Sequence, residues 1–220
     1  MTPSSPPGTL YHRLREGILT GRYAPGELVF EGTLAQEYGL SKTPVREALQ
    51  LLAARGLVTV LPKKGYMVRT MDFQDVREIM DLRMLLEPHA VEAAARACAP
   101  AVIGELRRFL DEQSRLRNRP LEAMGQAQQF HLTLARAGGN GRAFDVLRQV
   151  LDETSRAHHV LPALQSYMST EQEQAEHEKI FTAVEAGDAE AAGELMRAHL
   201  KNINAEMRSA SMASEGSLWG

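Results

Sequence analysis

Apolar and polar residues change their spacing twice along the chain, and each change marks an element. Residues 33–38 read as a short helix that Gly39 breaks. Ser41 then stands at an N-cap position, with Thr43 and Pro44 in the first turn of a new helix from about Lys42. Along that helix Val45, Leu49, Leu52 and Ala53 fall near helical spacing, while Lys42, Thr43, Arg46 and Gln50 share the opposite face. Gly56 ends it, and LVTVL alternates as a strand. Pro62, Lys63, Lys64 and Gly65 make a basic turn, and Tyr66, Met67 and Val68 return as a second strand. Helix, turn, helix and basic hairpin in this order predict a winged helix-turn-helix over residues 8–70.

Beyond Met71 the period is helical almost throughout. Six helices are expected: 72–98, 100–118 and 120–137 with Pro100 and Pro120 as openers, 142–159 after the Gly138-Gly139-Asn140-Gly141 turn, 169–186 after an interruption at Pro162, and 188–209. The fold class is therefore mainly α, with an all-helical bundle over residues 72–210 and no internal repeat. Residues 1–7 and 211–220 are expected to be disordered by composition, with Trp219 as a residue that can dock.

Charge separates the two parts. The net charge of −3 divides into nine Lys/Arg against five Asp/Glu in residues 1–70, and sixteen against twenty-three in the remainder. The positive excess lies with the helix-turn-helix, where contact with phosphates needs it. A single cysteine, Cys98, excludes an intramolecular disulfide and suits a reducing compartment. No secretory leader and no run of eighteen apolar residues is present, so a soluble cytoplasmic protein without membrane contact is expected.

A recognition helix presents its N-terminal residues to base edges. Lys42 and Thr43 are thus candidate base readers, Arg46 reads bases or grips phosphate, Ser41 contacts phosphate, and Lys63, Lys64 and Gly65 form the wing tip. The alternative is a solvated basic face. These residues resemble the GntR family of bacterial transcription regulators. The resemblance covers residues 8–70 and includes an I-x-x-G-x-[YF]-x-P-G segment (Ile18, Gly21, Tyr23, Pro25, Gly26) and the run S-K-T-P-V-R-E-A-L. Lys42 departs from the family's commoner Arg, keeping the charge but losing bidentate guanine recognition.

In the helical part His131, His177 and His199 each have apolar residues three or four positions away, which places them on or beside core-facing stripes. Each alone is a satisfied core histidine or a ligand. Three on three helices suit a divalent ion such as zinc, nickel or manganese, completed by carboxylate or water. His12, His89, His158 and His159 lack a comparable setting. Arg83 lies one turn before Glu87, as an intrahelical ion pair or as the grip on an acidic ligand.

This region resembles the FCD effector domain of the same family. The resemblance rests on D-L-R-M-L-L-E-P-x-A (81–90), Phe130-His131 with Gly139-Asn140 beyond, E-H-x-x-I (176–180) and M-x-x-H (196–199). It implies a metal held by a D-x-x-x-H pair and two later histidines, beside a small carboxylate effector. Here the Asp position is Ala127, with Gln128 as the polar neighbour one turn before His131. The three histidines then hold metal with water or an effector carboxylate, or they line a metal-free pocket for an organic acid with Arg83 and Gln128. The resemblance further implies a homodimer on a short inverted-repeat DNA operator, most often a repressor released by a metabolite. Asn140 is expected to cap a helix. A metal-responsive regulator and a metal-dependent hydrolase are the rivals; the chain has no H-E-x-x-H or G-x-S-x-G motif, and no enzyme is expected.

Overall fold

The computed structural model describes residues 7–161, 164 and 170–216. The chain divides into two compact units, residues 1–72 and 73–220.

The first unit contains α1 (Pro7–Leu19), β1 (Leu28–Val29), α2 (Glu31–Tyr38), α3 (Lys42–Ala54), β2 (Val58–Leu61) and β3 (Gly65–Val68). Leu10, Leu14 and Ile18 recur every four residues and give α1 one apolar stripe, buried with Leu34, Val45, Ala48, Leu49 and Leu52 in a single core. Full burial of such side chains stabilises the unit by about 1.5–3 kcal/mol each. Gly39 ends α2 with φ 65°, and its N–H donates to the carbonyls of Ala35 and Gln36. That left-handed residue sets the turn into α3, whose N-cap position is Ser41. β3 is the centre of an antiparallel sheet in the order β1, β3, β2. At its start Gly65 has φ 88°, and a Cβ there would lie 2.8 Å from the Val29 carbonyl oxygen, so β1 seats against the wing only with glycine. The sequence pattern placed the wing strands but not α1 or the two-residue β1.

Six helices are described in the second unit: α4 (Phe73–Ala97), α5 (Pro100–Arg115), α6 (Pro120–Ala137), α7 (Gly141–Val160), α8 (Thr170–Glu185) and α9 (Ala189–Gly216). Pro100 and Pro120 begin α5 and α6. The Asn140 side chain accepts the Ala143 N–H and caps α7, as expected. α9 packs on α4 and α8, α6 on α4, α5 and α7, and α5 on α8. The histidine-bearing helices α6, α8 and α9 are thus joined through α4.

α9 corrects one expectation. It continues to Gly216 rather than stopping near Ser209, so residues 211–216 are helical. Its apolar stripe continues through Leu200, Met207 and Ala210, all buried, and this carries the helix past the polar composition of its end. Pro7, expected to be disordered, is the first residue of α1, where its fixed φ suits a helix start; the expected disorder of residues 1–6 and 217–220, the docking of Trp219 and the break at Pro162 lie outside the described residues.

Candidate functional sites

In the first unit, α3 turns Ser41, Lys42, Thr43 and Arg46 outward and buries Val45, Ala48, Leu49 and Leu52. The Ser41 side chain makes no capping hydrogen bond, so its hydroxyl is left to the surface. Lys63, in the left-handed conformation with φ 62°, and Lys64 are exposed at the turn between β2 and β3. Arg46 has a partner that sequence reading missed. Its Nε and Nη2 donate to the two Glu31 carboxylate oxygens at 2.8 and 2.7 Å. Hydrogen bonding from Arg46 holds the Glu31 carboxyl below its ordinary range, with a further contribution from Lys42. The Arg46 guanidinium fork is thus held by the first turn of α2.

The second unit brings the three histidines together. His131 Nε2 lies 3.1 Å from His177 Nε2, which lies 3.3 Å from His199 Nε2. All three rings are buried. Behind each is an oxygen: Glu87 Oε2 at 2.5 Å from His131 Nδ1, Gln113 Oε1 at 3.0 Å from His177 Nδ1, and Glu176 Oε2 at 2.8 Å from His199 Nδ1. Ionised carboxylates only accept, so His131 and His199 carry their protons on Nδ1 and turn unprotonated Nε2 atoms inward; the Gln113 oxygen does the same for His177. Burial drives the His177 pKa well below its usual value, with the neighbouring imidazoles adding to the effect, and lowers His199 to about 4. Neutral imidazole is the ligating form.

Three inward lone pairs at this separation repel one another unless a cation lies among them. A tetrahedral zinc with Zn–N distances of about 2.0–2.1 Å has ligand nitrogens about 3.3–3.4 Å apart, close to the spacing here. The donor set is thus of the type that holds a divalent ion, with all three ligand atoms within 4.8 Å of one another.

Arg83 and Glu87 are both buried, and Arg83 Nε donates to Glu87 Oε1 at 2.5 Å. Arg83 forms the intrahelical pair with Glu87 and also lines a cavity of about 80 Å³. Burial would raise the Glu87 carboxyl, but Arg83 and His131 reverse this and hold it far below its ordinary value. His131 is the histidine of the three that reaches the cavity wall; His177 and His199 lie behind it. Ala127 and Gln128 also line the cavity, and Gln128 Nε2 donates to Asp152 Oδ1 at 3.0 Å. Gln128 is thereby drawn toward α7.

His158 needs correction. It lines the same cavity, and burial, followed by Arg83 and His159, lowers its pKa to about 4. Sequence reading also missed Glu87, Gln113 and Glu176 as supports of the imidazoles. Glu176, adjacent to His177 in the sequence, was legible as a polar residue of the motif but not as the partner of His199.

Residues 7–68 match the family described as bacterial regulatory proteins, gntR family, and residues 78–202 match the FCD domain. The chain is 37% identical over 194 residues to an uncharacterized HTH-type transcriptional regulator of Streptomyces ambofaciens, covering 88% of this chain and 81% of that protein. It is 29% identical over 201 residues to the HTH-type transcriptional repressor GlaR of Escherichia coli, covering 86% and 90%. Among solved structures, E. coli McbR/YncC has the same fold, with a TM-score of 0.79 at 20% identity over 94% of this chain and 99% of that one. Among the described residues, no helix is long and apolar enough to cross a membrane.

Proposed function

This chain belongs to the GntR family of bacterial regulatory proteins and carries an FCD domain, which makes it a transcription regulator and not an enzyme, and from that premise we propose that it binds DNA as a homodimer under the control of a small effector in its helical domain. One winged head covers one major-groove segment, so a two-fold dimer on an inverted repeat supplies useful specificity. Lys42, Thr43 and Arg46 read the groove, Ser41 contacts phosphate, and Lys63 and Lys64 with Gly65 hold the flanking backbone. Repression is the favoured sense, in keeping with the name of the E. coli relative.

The observation that carries the effector reading is the histidine triad, with a hydrogen-bond acceptor behind every ring and a cavity in front of His131. His131, His177 and His199 hold one divalent ion, zinc, nickel or manganese. When bound, the ion supplies a positive centre for an effector carboxylate. Ala127 leaves open the place a carboxylate ligand would take, and Arg83 and Gln128 face the same cavity. The cavity beside the triad favours a metabolite over the ion itself as the signal. Effector binding alters operator affinity by its difference in affinity between the DNA-competent and incompetent states.

The test is elemental analysis of protein purified without a metal-affinity tag. About one ion per chain, lost in His177→Ala, is expected. No metal after incubation with each ion in turn would leave the triad as hydrogen-bonding residues of an organic pocket.

A further inference from the structure

The cavity in front of His131 is not built for a simple anion. Among the described residues, its wall holds one guanidinium, Arg83, against three carboxyls, Glu173, Glu176 and Glu206. Arg83 is already paired with Glu87. Both Glu176 oxygens are also engaged, Oε2 by His199 and Oε1 by Asn202 at 2.7 Å. Among the described residues, neither Glu173 nor Glu206 has an ion pair or a side-chain hydrogen bond. Burial raises the Glu173 carboxyl to about 7, with Arg83 opposing and the carboxyls of Glu206 and Glu176 reinforcing the rise. Burial and Glu176 raise Glu206 as well. Two half-buried acids thus face one small cavity whose guanidinium is already paired with Glu87, and neither has a cation of its own among the described residues.

Their position separates them from the triad. Glu173 precedes His177 by one turn of α8, about 6 Å of rise, and Glu206 follows His199 by two turns of α9, about 10 Å. The two helices pack together with Glu176 reaching both His199 and Asn202, and Glu173 and Glu206 line the same cavity, with Glu206 near enough to raise the Glu173 carboxyl. An ion held by the histidines lies a turn or more along both helices from these two carboxyls and leaves them without a partner. Met124, Leu151 and Ile203 give the cavity an apolar part of its wall.

Resting on the effector reading above, we propose that the effector is a zwitterion of the ω-amino acid class: its carboxylate lies toward the histidine triad and Arg83, a short aliphatic chain crosses the apolar wall, and its ammonium group sits between Glu173 and Glu206. The charges of cavity and ligand then match end for end, which a dicarboxylate cannot achieve.

The experiment uses the full, metal-loaded chain and two matched series of probes. One is β-alanine, γ-aminobutyrate, δ-aminovalerate and ε-aminocaproate; the other is propionate, butyrate, valerate and caproate. Binding is measured by calorimetry at pH 7.5, with metal content determined on the same samples. At least one amino acid should bind ten times or more tighter than its matched acid. That advantage should fall below threefold in Glu173→Gln and in Glu206→Gln, with metal stoichiometry unchanged. Plain acids binding as tightly as amino acids, or an advantage that survives both substitutions, overturns the proposal. Binding of neither series to a chain that carries its metal overturns this proposal alone. No binding together with no metal overturns the reading of the site on which it rests.

Discussion

Arg83→Ala tests whether the buried pair beneath the cavity is the electrostatic keystone its geometry implies. Arg83 and Glu87 are each 3% exposed, and the Glu87 carboxylate is also hydrogen bonded to His131. Removing the guanidinium leaves a carboxylate in a dry interior with one remaining partner. Breaking such a pair costs about 3–5 kcal/mol, and the surviving His131 contact places this case toward the lower end. For a unit of this size, about 2–4 °C of melting temperature corresponds to each kcal/mol, so a fall of about 6–12 °C is expected. Scanning calorimetry of the full chain at pH 7.5 reads it, with the transition of the first unit as an internal reference. The pH dependence supplies a second arm. Glu87 has a folded pKa depressed from the usual 4.5, so its contribution is present above that value and is lost as pH falls through the folded pKa. Wild type should therefore lose stability below about pH 4.5 more steeply than Arg83→Ala, in which burial again raises the carboxyl. A loss under about 1 kcal/mol would refute the reasoning, because the pair would then be behaving as a solvated surface contact.

Three further outcomes are expected. Glu176→Gln, which weakens the acceptor behind His199, should reduce metal affinity about 10–100-fold by equilibrium dialysis with a zinc chelator; unchanged affinity would show that the oxygen does not orient the ring. Ala127→Asp places a carboxylate one turn before His131 and should raise metal affinity by about tenfold or more, about 1.4 kcal/mol, in the same assay; no gain would mean the position does not face the ion. In operator binding across a salt series, Lys64→Ala should weaken all sequences evenly and lower the salt slope by about one, whereas Arg46→Ala should also relax sequence preference. Equal behaviour of the two variants would count against α3 as the reading helix.

Much of the fold could be read from local pattern, because helix period, caps and left-handed glycines act within a few residues of one another. Gly39 and Ser41 placed the start of α3, Pro120 opened α6, and Asn140 capped α7, each through its own backbone chemistry. The same pattern put His131, His177 and His199 on buried stripes. The end of α9 was misjudged because polar composition there outweighed the stripe ending in Met207 and Ala210. What local pattern cannot hold is which buried face meets which. Glu87 and His131 are 44 positions apart, Gln113 and His177 are 64, and Glu176 and His199 are 23. The Arg46–Glu31 pairing, the place of His158 and the convergence of Glu173 with Glu206 arise in the same way. Sequence by itself determined the helices, the winged head and the residue types available for ligation. Tertiary structure alone decided the tautomers, the charge balance of the cavity and the partner of each buried polar group, because these depend on the packing of stripes distant in the chain.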